Sequence, residues 1–353
     1  MRVYQICPKY FPSIGGVEEH VRNISERLAK KFEVYVLTTD SSGKLPKEEI
    51  MNGVYVRRFR SLAPSESYFF SLSLKKFLST NFHGFGIIHA HSYGAFPALF
   101  AAQEKNNRKM VFSPHYHGSG HTFFRSLLHR PYKFFGKKIF DKADVIICVS
   151  NYERNLITQH FKINPTKLFV IPNGVNKNEF KNLQKRYKNH KVILSVCRLE
   201  KYKGLQYLIQ SLPQLSDEIK LEIVGKGPYK ESLVKLAKKL NVANRVMFYQ
   251  DLSRAELLQK YADADVFALL SEHEAYGISV AEALCAGTPC IVTKTSALLE
   301  WIDNKNCFGV NYPICLDELV LLIKHVIGKK AIMPKIYDWD EITEKLAQIY
   351  QKL

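Results

Sequence analysis

The sequence predicts an α/β protein made of two doubly wound domains, each built around a parallel β-sheet. The first reason is length, because 353 residues exceed the roughly 100 to 200 residues of one ordinary domain. The second is that short β-branched runs alternate with amphipathic helical segments along the chain, which is typical of parallel βαβ units. The third is a polar, charged stretch at residues 181–190 that divides this alternation into two series.

The first series of predicted strands occupies the N-terminal half of the chain. Each run is short, apolar and followed by a helical pattern, so the series fits one parallel sheet covered by helices. The predicted strands are Val3–Cys7, Val34–Leu37, Tyr55–Phe59, Ile87–Ala90, Met110–Pro114, Val145–Val149 and Lys167–Ile171.

The second series begins after the polar stretch and predicts another sheet of the same kind. Helices are expected at Leu205–Ser211 and Tyr229–Leu240 between its strands, and at Trp339–Leu353 near the end. We therefore expect one domain over residues 1–184 and a second over residues 185–336. Ligands of such sheets bind at the carboxyl ends of the strands, so the following loops are where the chemistry is expected. The predicted strands are Val192–Val196, Leu221–Val224, Val246–Tyr249, Val266–Leu270 and Cys290–Val292.

The composition is that of a globular protein with a basic balance. A hydrophobic share of 46% and a charged share of 24% allow sizeable cores. The net charge of +18 favours an anionic partner, either nucleic acid, acidic lipid or a phosphorylated substrate, although solvated surface lysines would give the same number. Seven cysteines without a Cys-x-x-Cys pair indicate reduced thiols.

The sequence contains neither a long apolar run nor a signal-like start, so a cytoplasmic location is expected.

Paired glycines, Gly15 and Gly16, follow the first predicted strand and precede a helix. A ligand can approach the backbone amides at such a helix start, so an anion or a hydroxyl group can bind there. The alternative is an ordinary tight turn.

A basic loop follows the strand that ends at Val196. Its fork-shaped Arg198 and compact Lys203 can converge on one site, where they would bind a diphosphate and stabilise a leaving nucleotide diphosphate. The alternative is two solvated surface cations. The next strand is followed by Gly225 and Gly227, but the third glycine of a dinucleotide fingerprint and a Walker loop are missing, so neither a dinucleotide cofactor nor ATP chemistry is predicted.

Two carboxylates lie in residues 271–289, which link a predicted buried strand to a helix. Glu274 lies in the loop before the helix, and Glu282 follows eight positions later on the helix itself. Carboxylates accept hydrogen bonds from sugar hydroxyls, so one can bind a transferred sugar and the other a ribose. Gly277 would leave backbone amides accessible to phosphate. The alternative for Glu282 is a helix-forming side chain that faces water.

Taken together, these motifs resemble glycosyltransferase family 4, a large family of retaining enzymes. The resemblance rests on Arg198 with Lys203, on Glu274-x7-Glu282, and on the Ala-Gly-Thr-Pro sequence at residues 286–289. It extends over nearly the whole chain through further motifs, which are Gly15-Gly16, His89-Ala90-His91, His117-Gly118, Val149-Ser150 and Ile171-Pro172-Asn173-Gly174-Val175.

The resemblance implies the GT-B fold, in which two facing Rossmann-like domains enclose a ligand cleft. The N-terminal domain would bind the acceptor and be completed by a C-terminal helix at residues 337–353, and the C-terminal domain would bind the nucleotide sugar. The implied reaction moves a hexose-type sugar from a UDP- or GDP-sugar donor to an acceptor with retention of configuration. Neither a cofactor nor a metal ion is expected.

The resemblance also implies roles for individual residues. It implies that Arg198 and Lys203 hold the diphosphate, that Glu282 binds the ribose and that Glu274 binds the donor sugar. The residues expected near the phosphates, the reacting carbon or the acceptor are Gly15, Gly16, His117, Tyr276, Gly277 and Ile278. For retention we expect attack from the face of the leaving group rather than a covalent intermediate, because no carboxylate is an obvious nucleophile.

Two kinds of motif in the sequence could instead bind a metal ion. Residues 263–265 and 338–340 match the Asp-x-Asp string by which another transferase fold binds manganese, but the first follows a helix and the second opens one, where aspartate suits the positive helix end. The pairs His89-x-His91 and His115-x-His117 would place imidazoles on one strand face and suit zinc, but no third ligand is evident.

One segment of the sequence indicates what kind of molecule the acceptor is. Residues 123–140 interleave aromatic side chains with five Lys or Arg and contain no acid, which is typical of a membrane-surface segment. Buried aromatic helices with outward lysines would give the same pattern. We hypothesise a lipid-linked or membrane-embedded acceptor, with a sugar acceptor as the alternative, and binding of the enzyme to an anionic membrane surface at its cytoplasmic face.

Two other functions compete with sugar transfer. A nucleotide-sugar 2-epimerase of the same fold would consume the donor without an acceptor. A nucleic-acid-binding protein would fit the charge alone, but no recognised nucleic-acid-binding motif is present, so no nucleic-acid partner is expected.

Overall fold

The computed structural model describes residues 1–64, 68–80, 86–118 and 134–353. These form two compact units: an N-terminal unit of Met1–Asn173 with Trp339–Leu353, and a C-terminal unit of Gly174–Asp338.

The division between the units falls before the polar stretch predicted as the linker. Phe180 and Val175 are buried in the core of the C-terminal unit. The Val175 amide also donates to the Tyr337 carbonyl (3.0 Å), so this segment is fixed to the same unit. Two apolar side chains in an otherwise polar run therefore decide where the segment packs, a signal too short to be read as an element.

Within the described residues, the N-terminal unit contains an eight-stranded sheet in the order β3-β4-β2-β1-β5-β6-β7-β8. All neighbouring strands are parallel except β3 and β4. The seven predicted strands are confirmed, and the edge strand β3 was missed because its sequence Glu-Glu-Ile-Met lacks a β-branched run. The strands are β1 (Arg2–Ile6), β2 (Glu33–Asp40), β3 (Glu48–Met51), β4 (Val54–Arg60), β5 (Ile87–His91), β6 (Lys109–Ser113), β7 (Val145–Cys148) and β8 (Leu168–Val170).

The helices of the N-terminal unit follow its strands as the alternating pattern predicts. Strands β5 and β7 are buried along their whole length, as strands of a parallel sheet covered on both faces must be. This burial explains the continuous apolar sequence of β7, whereas β5 also buries His89 and His91. The helices before the C-terminal unit are α1 (Gly16–Leu28), α2 (Leu72–Thr80), α3 (Phe96–Gln103), α4 (described over 134–142) and α5 (Asn151–Phe161).

In the part of the chain that the structure describes, the C-terminal unit contains a six-stranded parallel sheet in the order β11-β10-β9-β12-β13-β14. The five predicted strands are confirmed, and the structure contains a sixth strand, β14, that was not predicted. The strands are β9 (Lys191–Val196), β10 (Ile219–Val224), β11 (Val246–Tyr249), β12 (Val266–Leu269), β13 (Cys290–Thr293) and β14 (Cys307–Val310). The helices are α6 (Leu205–Ser211), α7 (Lys230–Lys239), α8 (Arg254–Asp263), α9 (Ile278–Cys285) and α10 (Leu316–Val326).

The last helix, α11 (Trp339–Lys352), belongs to the N-terminal unit, where it packs against α1. Trp339 and Tyr350 are buried on its apolar face. Its polar face forms an ion pair with α1, in which Arg27 Nε lies 2.7 Å from Asp340 Oδ1. Across the described helices, none has the length and apolar character needed to cross a membrane.

Candidate active site

The strand order of the C-terminal sheet reverses between β9 and β12. From β9 the chain moves outward to β10 and β11 and then returns to β12 on the other side of β9. In open parallel sheets, ligands bind beyond the carboxyl ends of the strands at such a reversal. We call the two segments that follow these strands, residues 197–204 and 271–282, the donor loops. Arg198, Lys203 and Glu274 all belong to them.

Lys203 and Glu274 join the two donor loops through a largely buried ion pair. Lys203 Nζ lies 2.5 Å from Glu274 Oε1, and the side chains are 12% and 16% exposed. Ser271 Oγ donates to the same carboxylate oxygen at 2.8 Å. Burial alone would lower the pKa of the Lys203 ammonium, but the neighbouring carboxylate raises that pKa above its usual value. Lys203 is therefore a fixed positive charge at the end of the sheet.

Arg198 lies on the same donor loop as Lys203 but has a different partner. Its side chain is 57% exposed, and Nη2 is 3.3 Å from Glu200 Oε1. An exposed pair of this kind contributes little stability, so the guanidinium can exchange Glu200 for another anion at small cost. The predicted convergence of Arg198 and Lys203 on one anion stays a prediction, because Lys203 is held by Glu274.

Close backbone packing holds the donor loop that carries Arg198. A Cβ atom on Gly225 would lie 2.0 Å from the Cys197 carbonyl oxygen, and φ at Gly225 is +145°. A Cβ on Gly227 would lie 2.3 Å from the Leu199 carbonyl oxygen. Gly225 and Gly227 do not complete a dinucleotide-binding motif, but they let their loop pack directly on the loop that carries Arg198. A larger side chain at either position would prevent this packing.

Helix α9 begins at the second donor loop. Gly277 is its N-cap with φ +94°, a backbone conformation that favours glycine, and Ile278 is its first residue. The Tyr276 carbonyl accepts a hydrogen bond from Trp301 Nε1 at 2.7 Å, which fixes the turn before the helix. The first amides of the helix therefore lie on the same loop as Glu274, as the sequence predicts.

Glu282 lies one turn into α9 and is buried, rather than facing water. Arg254 Nη1 donates to its Oε1 at 2.6 Å, and the Tyr261 hydroxyl donates to its Oε2 at 2.9 Å. Arg254 also pairs with Glu179 at 2.7 Å. Sequence reasoning missed Arg254 and Tyr261, because neither lies in a motif and both reach Glu282 from a different helix.

In the N-terminal unit, the predicted glycine pair starts α1. Gly15 is the N-cap, and Gly16 is the first helical residue. A Cβ on Gly15 would lie 2.4 Å from Glu18 Oε2, so the carboxylate of the first turn lies close to the N-cap. A Cβ on Gly16 would meet nothing within 4 Å among the described atoms. The pair is thus a helix start with open space on one side.

His117 lies in the loop after β6, next to a buried carboxylate that fixes this loop. Glu153 Oε1 accepts the Tyr116 amide at 2.5 Å, and Oε2 accepts the Val149 amide at 2.7 Å. The Tyr116 hydroxyl contacts His160 Nδ1 at 2.7 Å. Burial raises the pKa of Glu153 to about 8, against the lowering effect of its two backbone hydrogen bonds. Glu153 therefore positions the backbone that leads into His117, a role that its helical sequence context did not suggest.

We expect Glu153 to make stability depend on pH. Its pKa in the fold is about 8, above the ordinary value of 4.5, so its stabilising effect is complete below about 4.5 and is lost as the pH rises through 8. In Glu153→Gln the amide nitrogen cannot accept a hydrogen bond, so this variant should have a lower Tm than the wild type at pH 5. The difference should narrow toward pH 8.5. Parallel curves of Tm against pH for the two proteins would contradict this assignment.

The two Asp-x-Asp strings have structural partners. Asp263 Oδ1 accepts the Arg186 amide, and Asp265 accepts the Val192 amide, both at 2.9 Å. In the other string, Asp338 Oδ2 accepts the Lys177 amide at 3.0 Å. These carboxylates fix backbone segments to helix and strand ends.

One of the two His-x-His pairs shares a strand face as the sequence predicts, because His89 and His91 both lie on β5 with ring centroids 4.2 Å apart. His89 uses both ring nitrogens, with the Tyr350 hydroxyl at 2.5 Å from Nδ1 and Ser113 Oγ at 2.8 Å from Nε2. His115 lies beyond the end of β6, so it and His117 do not share a strand face. Instead, His115 clusters with His91 and with His20, a residue of α1 that sequence reasoning did not consider.

The proposed membrane-surface segment falls mostly outside the described residues, which omit 119–133. Of its described part in α4, Phe134 and Phe135 are 65% and 45% exposed. Lys138 Nζ lies 4.8 Å from the centroid of the Phe134 ring.

Comparison with known proteins gives matches along the whole chain. Residues 14–179 match the family model described as Glycosyltransferase Family 4, and residues 176–350 match that of Glycosyl transferases group 1. An uncharacterized glycosyltransferase of Methanocaldococcus jannaschii is 27% identical over 99% of this chain and 98% of its own. The alpha-monoglucosyldiacylglycerol synthase of Streptococcus pneumoniae is 24% identical over 88% and 75%. The Anabaena HepE structure in complex with UDP-glucose has a TM-score of 0.81 and 19% identity, with 100% of both chains covered.

Proposed function

The chain belongs to glycosyltransferase family 4 and is a glycosyltransferase of the GT-B class, and from this premise we propose that it moves a hexose-type sugar from a nucleotide diphosphate sugar to an acceptor. We further propose that the reaction retains the anomeric configuration and uses side-chain cations in place of a metal ion.

The ion pair between Lys203 and Glu274 carries the proposal. It joins the carboxyl ends of β9 and β12, where the strand order of the sheet reverses. A nucleotide sugar offers both of these side chains a better-matched partner, because its diphosphate is anionic and its sugar hydroxyls are hydrogen-bond donors. Donor binding would therefore replace one internal pair by two contacts with the substrate, Lys203 to phosphate and Glu274 to sugar.

The leaving group is stabilised by positive charge from three sources in this proposal. Lys203 supplies a buried ammonium, and the exposed Arg198 supplies a guanidinium that exchanges Glu200 for phosphate. The amides of Tyr276, Gly277 and Ile278 at the start of α9 supply backbone donors and the positive end of a helix. Charge that develops on a departing diphosphate is stabilised most by such fixed donors.

Glu282 is proposed to accept hydrogen bonds from the ribose. Its two oxygens already accept from Arg254 and Tyr261, and a carboxylate has about four acceptor sites, so further donors can be accommodated. These two partners would hold the carboxylate in one orientation, so that ribose binding requires little reordering of the side chain.

Retention is proposed to follow from attack on the face of the leaving group. The acceptor hydroxyl would pass its proton to a diphosphate oxygen while the bond between the sugar and the diphosphate breaks. His117 lies in the loop that the Glu153 carboxylate holds, and it is proposed to bind a sugar hydroxyl near the reacting carbon. Gly15 and Gly16 are proposed to let phosphate and acceptor approach the amides at the start of α1.

The donor and acceptor classes rest on similarity and on exposed residues. The UDP-glucose in the Anabaena HepE complex supports a UDP-sugar donor, with a GDP-sugar as the alternative. The name of the S. pneumoniae relative, a glucosyldiacylglycerol synthase, supports a lipid-linked acceptor. Exposed Phe134 and Phe135 beside Lys138 are suited to an anionic lipid surface.

A thermal-shift screen tests the donor assignment. UDP, GDP, ADP and their sugars are added to the wild type and to Arg198→Ala. We expect one nucleotide diphosphate and its sugars to raise the Tm of the wild type by several degrees, because a ligand that binds only the folded state stabilises it. The shift should be smaller in Arg198→Ala. The absence of a shift with every nucleotide would contradict the proposal.

The reaction is tested with the donor that the screen selects. Nucleotide diphosphate release should require a lipid acceptor, should continue in excess EDTA, and should give a product whose anomeric carbon has the donor's configuration by NMR. Donor consumption without acceptor would indicate the epimerase instead. Equal binding to neutral and anionic liposomes at low salt would argue against the membrane assignment.

A further inference from the structure

Three imidazoles from different elements meet at the carboxyl ends of β1, β5 and β6. His20 lies on α1 after β1, His91 ends β5, and His115 follows β6. One ring nitrogen of each lies within 4.8 Å of the corresponding nitrogen of the other two. The ring centroids are 5.5 Å apart for His20 and His91, 5.0 Å for His20 and His115, and 5.9 Å for His91 and His115. Two of the rings are almost fully buried.

The hydrogen bonds of two rings fix which nitrogen carries the lone pair. His20 Nδ1 lies 2.7 Å from Asn173 Oδ1, and His91 Nε2 lies 2.7 Å from Gln5 Oε1. Amide oxygens only accept, so these ring nitrogens must carry the protons. The opposite nitrogens, His20 Nε2 and His91 Nδ1, are then unprotonated acceptors.

These acceptors are unused. Within the described residues, His20 Nε2, His91 Nδ1 and His115 Nε2 are buried and have no hydrogen-bond partner. A buried polar atom without a partner costs free energy, and three such atoms in one cluster of rings favour a shared ligand. That ligand must accept lone pairs from all three, which a metal cation does. Burial lowers the pKa of His20 to about 4 and the pKa values of His91 and His115 well below the usual range, so all three rings are neutral, as metal ligands must be.

We propose that His20, His91 and His115 form a zinc site in the N-terminal unit. Imidazoles that share a tetrahedral zinc ion at about 2.0 Å have ring centroids roughly 5 Å apart, which is the spacing found here. To bind the ion, their nitrogens must approach to about 3.4 Å of one another, and their present separations are at most 4.8 Å. Asn173 and Gln5 act as the outer partners that orient metal-binding imidazoles.

The zinc site would be distinct from the proposed donor site. Its ligands belong to the N-terminal unit, whereas Arg198, Lys203 and Glu274 belong to the C-terminal unit. The ion would tie together α1, β5 and the loop after β6 at the point where the order of the N-terminal sheet reverses, between β1 and β5. With three protein ligands, its fourth coordination position would hold water, as in open zinc sites rather than in closed ones with four protein ligands. Transfer of the sugar would still use side-chain cations, so this proposal does not depend on the function proposed above.

The test measures metal binding by the intact chain. Protein stripped with chelator is titrated with Zn²⁺ by calorimetry, and with Co²⁺ by absorption. We expect one tight site per chain, a rise in Tm of roughly 5 °C with excess Zn²⁺, and Co²⁺ bands in the visible region without thiolate charge transfer in the near ultraviolet. His91→Gln and His20→Gln should each weaken Zn²⁺ binding at least about 100-fold. His325→Gln, which removes an exposed imidazole elsewhere, should bind as the wild type does.

Two results would overturn the proposal. One is a wild type that binds Zn²⁺ no more tightly than His91→Gln, which would mean that water occupies the cluster. The other is a Co²⁺ spectrum dominated by thiolate charge transfer, which would assign the metal to cysteines. Because the wild type is measured directly, misfolding of a variant leaves both results interpretable.

Discussion

Replacing Arg198 and Lys203 together with alanine is expected to lower kcat/KM for sugar transfer by roughly 1000-fold or more. Both cations are proposed to stabilise the departing diphosphate, and removing one such group usually costs about 100- to 1000-fold. The loss should be mainly in kcat, because the negative charge on the diphosphate increases as its bond to the sugar breaks. The measurement is acceptor-dependent release of the nucleotide diphosphate from the identified donor.

Two further variants separate loss of charge from loss of fold. Arg198→Ala changes an exposed side chain, so it should keep the Tm of the wild type while losing about 100-fold in kcat/KM. Lys226→Ala removes an exposed cation that pairs with Asp251 near the same sheet edge and should change neither quantity. Turnover of the double variant within a few-fold of the wild type would contradict the proposed function.

Glu274→Ala is expected to cost about 3 kcal/mol of stability as well as activity. It leaves the Lys203 ammonium, 12% exposed, without the carboxylate that it contacts at 2.5 Å, and breaking one side of a buried ion pair typically costs 3 to 5 kcal/mol. The Tm should fall by roughly 5 to 10 °C, measured by calorimetry.

The partner variant decides whether this loss comes from the unpaired charge. The double variant Lys203→Met with Glu274→Ala has no buried ammonium. It should therefore be more stable than Glu274→Ala alone, although two residues are changed. Asp251→Ala, which breaks an exposed pair, is the control and should leave the Tm unchanged. If the double variant instead loses as much stability as Lys203→Met and Glu274→Ala lose separately and added together, the two side chains are not energetically coupled.

Predictions from the local sequence pattern agree with the structure for features that lie within a single strand or at the start of a single helix. Buried parallel strands such as β7 and β12 are continuous apolar runs, so they are visible in the sequence. The helix starts at Gly15 and Gly277 are visible for a similar reason, because their glycines follow predicted strands and precede amphipathic segments. The edge strand β3 is invisible by the same rule, since an edge strand needs no apolar run.

Partners of the site residues were not predictable, because they come from distant parts of the chain. The side chains around Glu282 are an example: Tyr261 and Arg254 lie 21 and 28 positions away on another helix. Glu153 is another, since its helix gives no hint that it binds the amides of two strand-end loops.

The sequence by itself determined the class of fold, the family, the loops that carry Arg198, Lys203 and Glu274, and the helix that carries Glu282, because hydrophobic periodicity and motif spacing are local properties. Only the tertiary structure decided that Lys203 is paired with Glu274, that Arg198 is exposed, and that His20 joins His91 and His115. These contacts depend on which strands become neighbours, and the strand order of a sheet brings together residues whose separation along the chain contains no information about their separation in space.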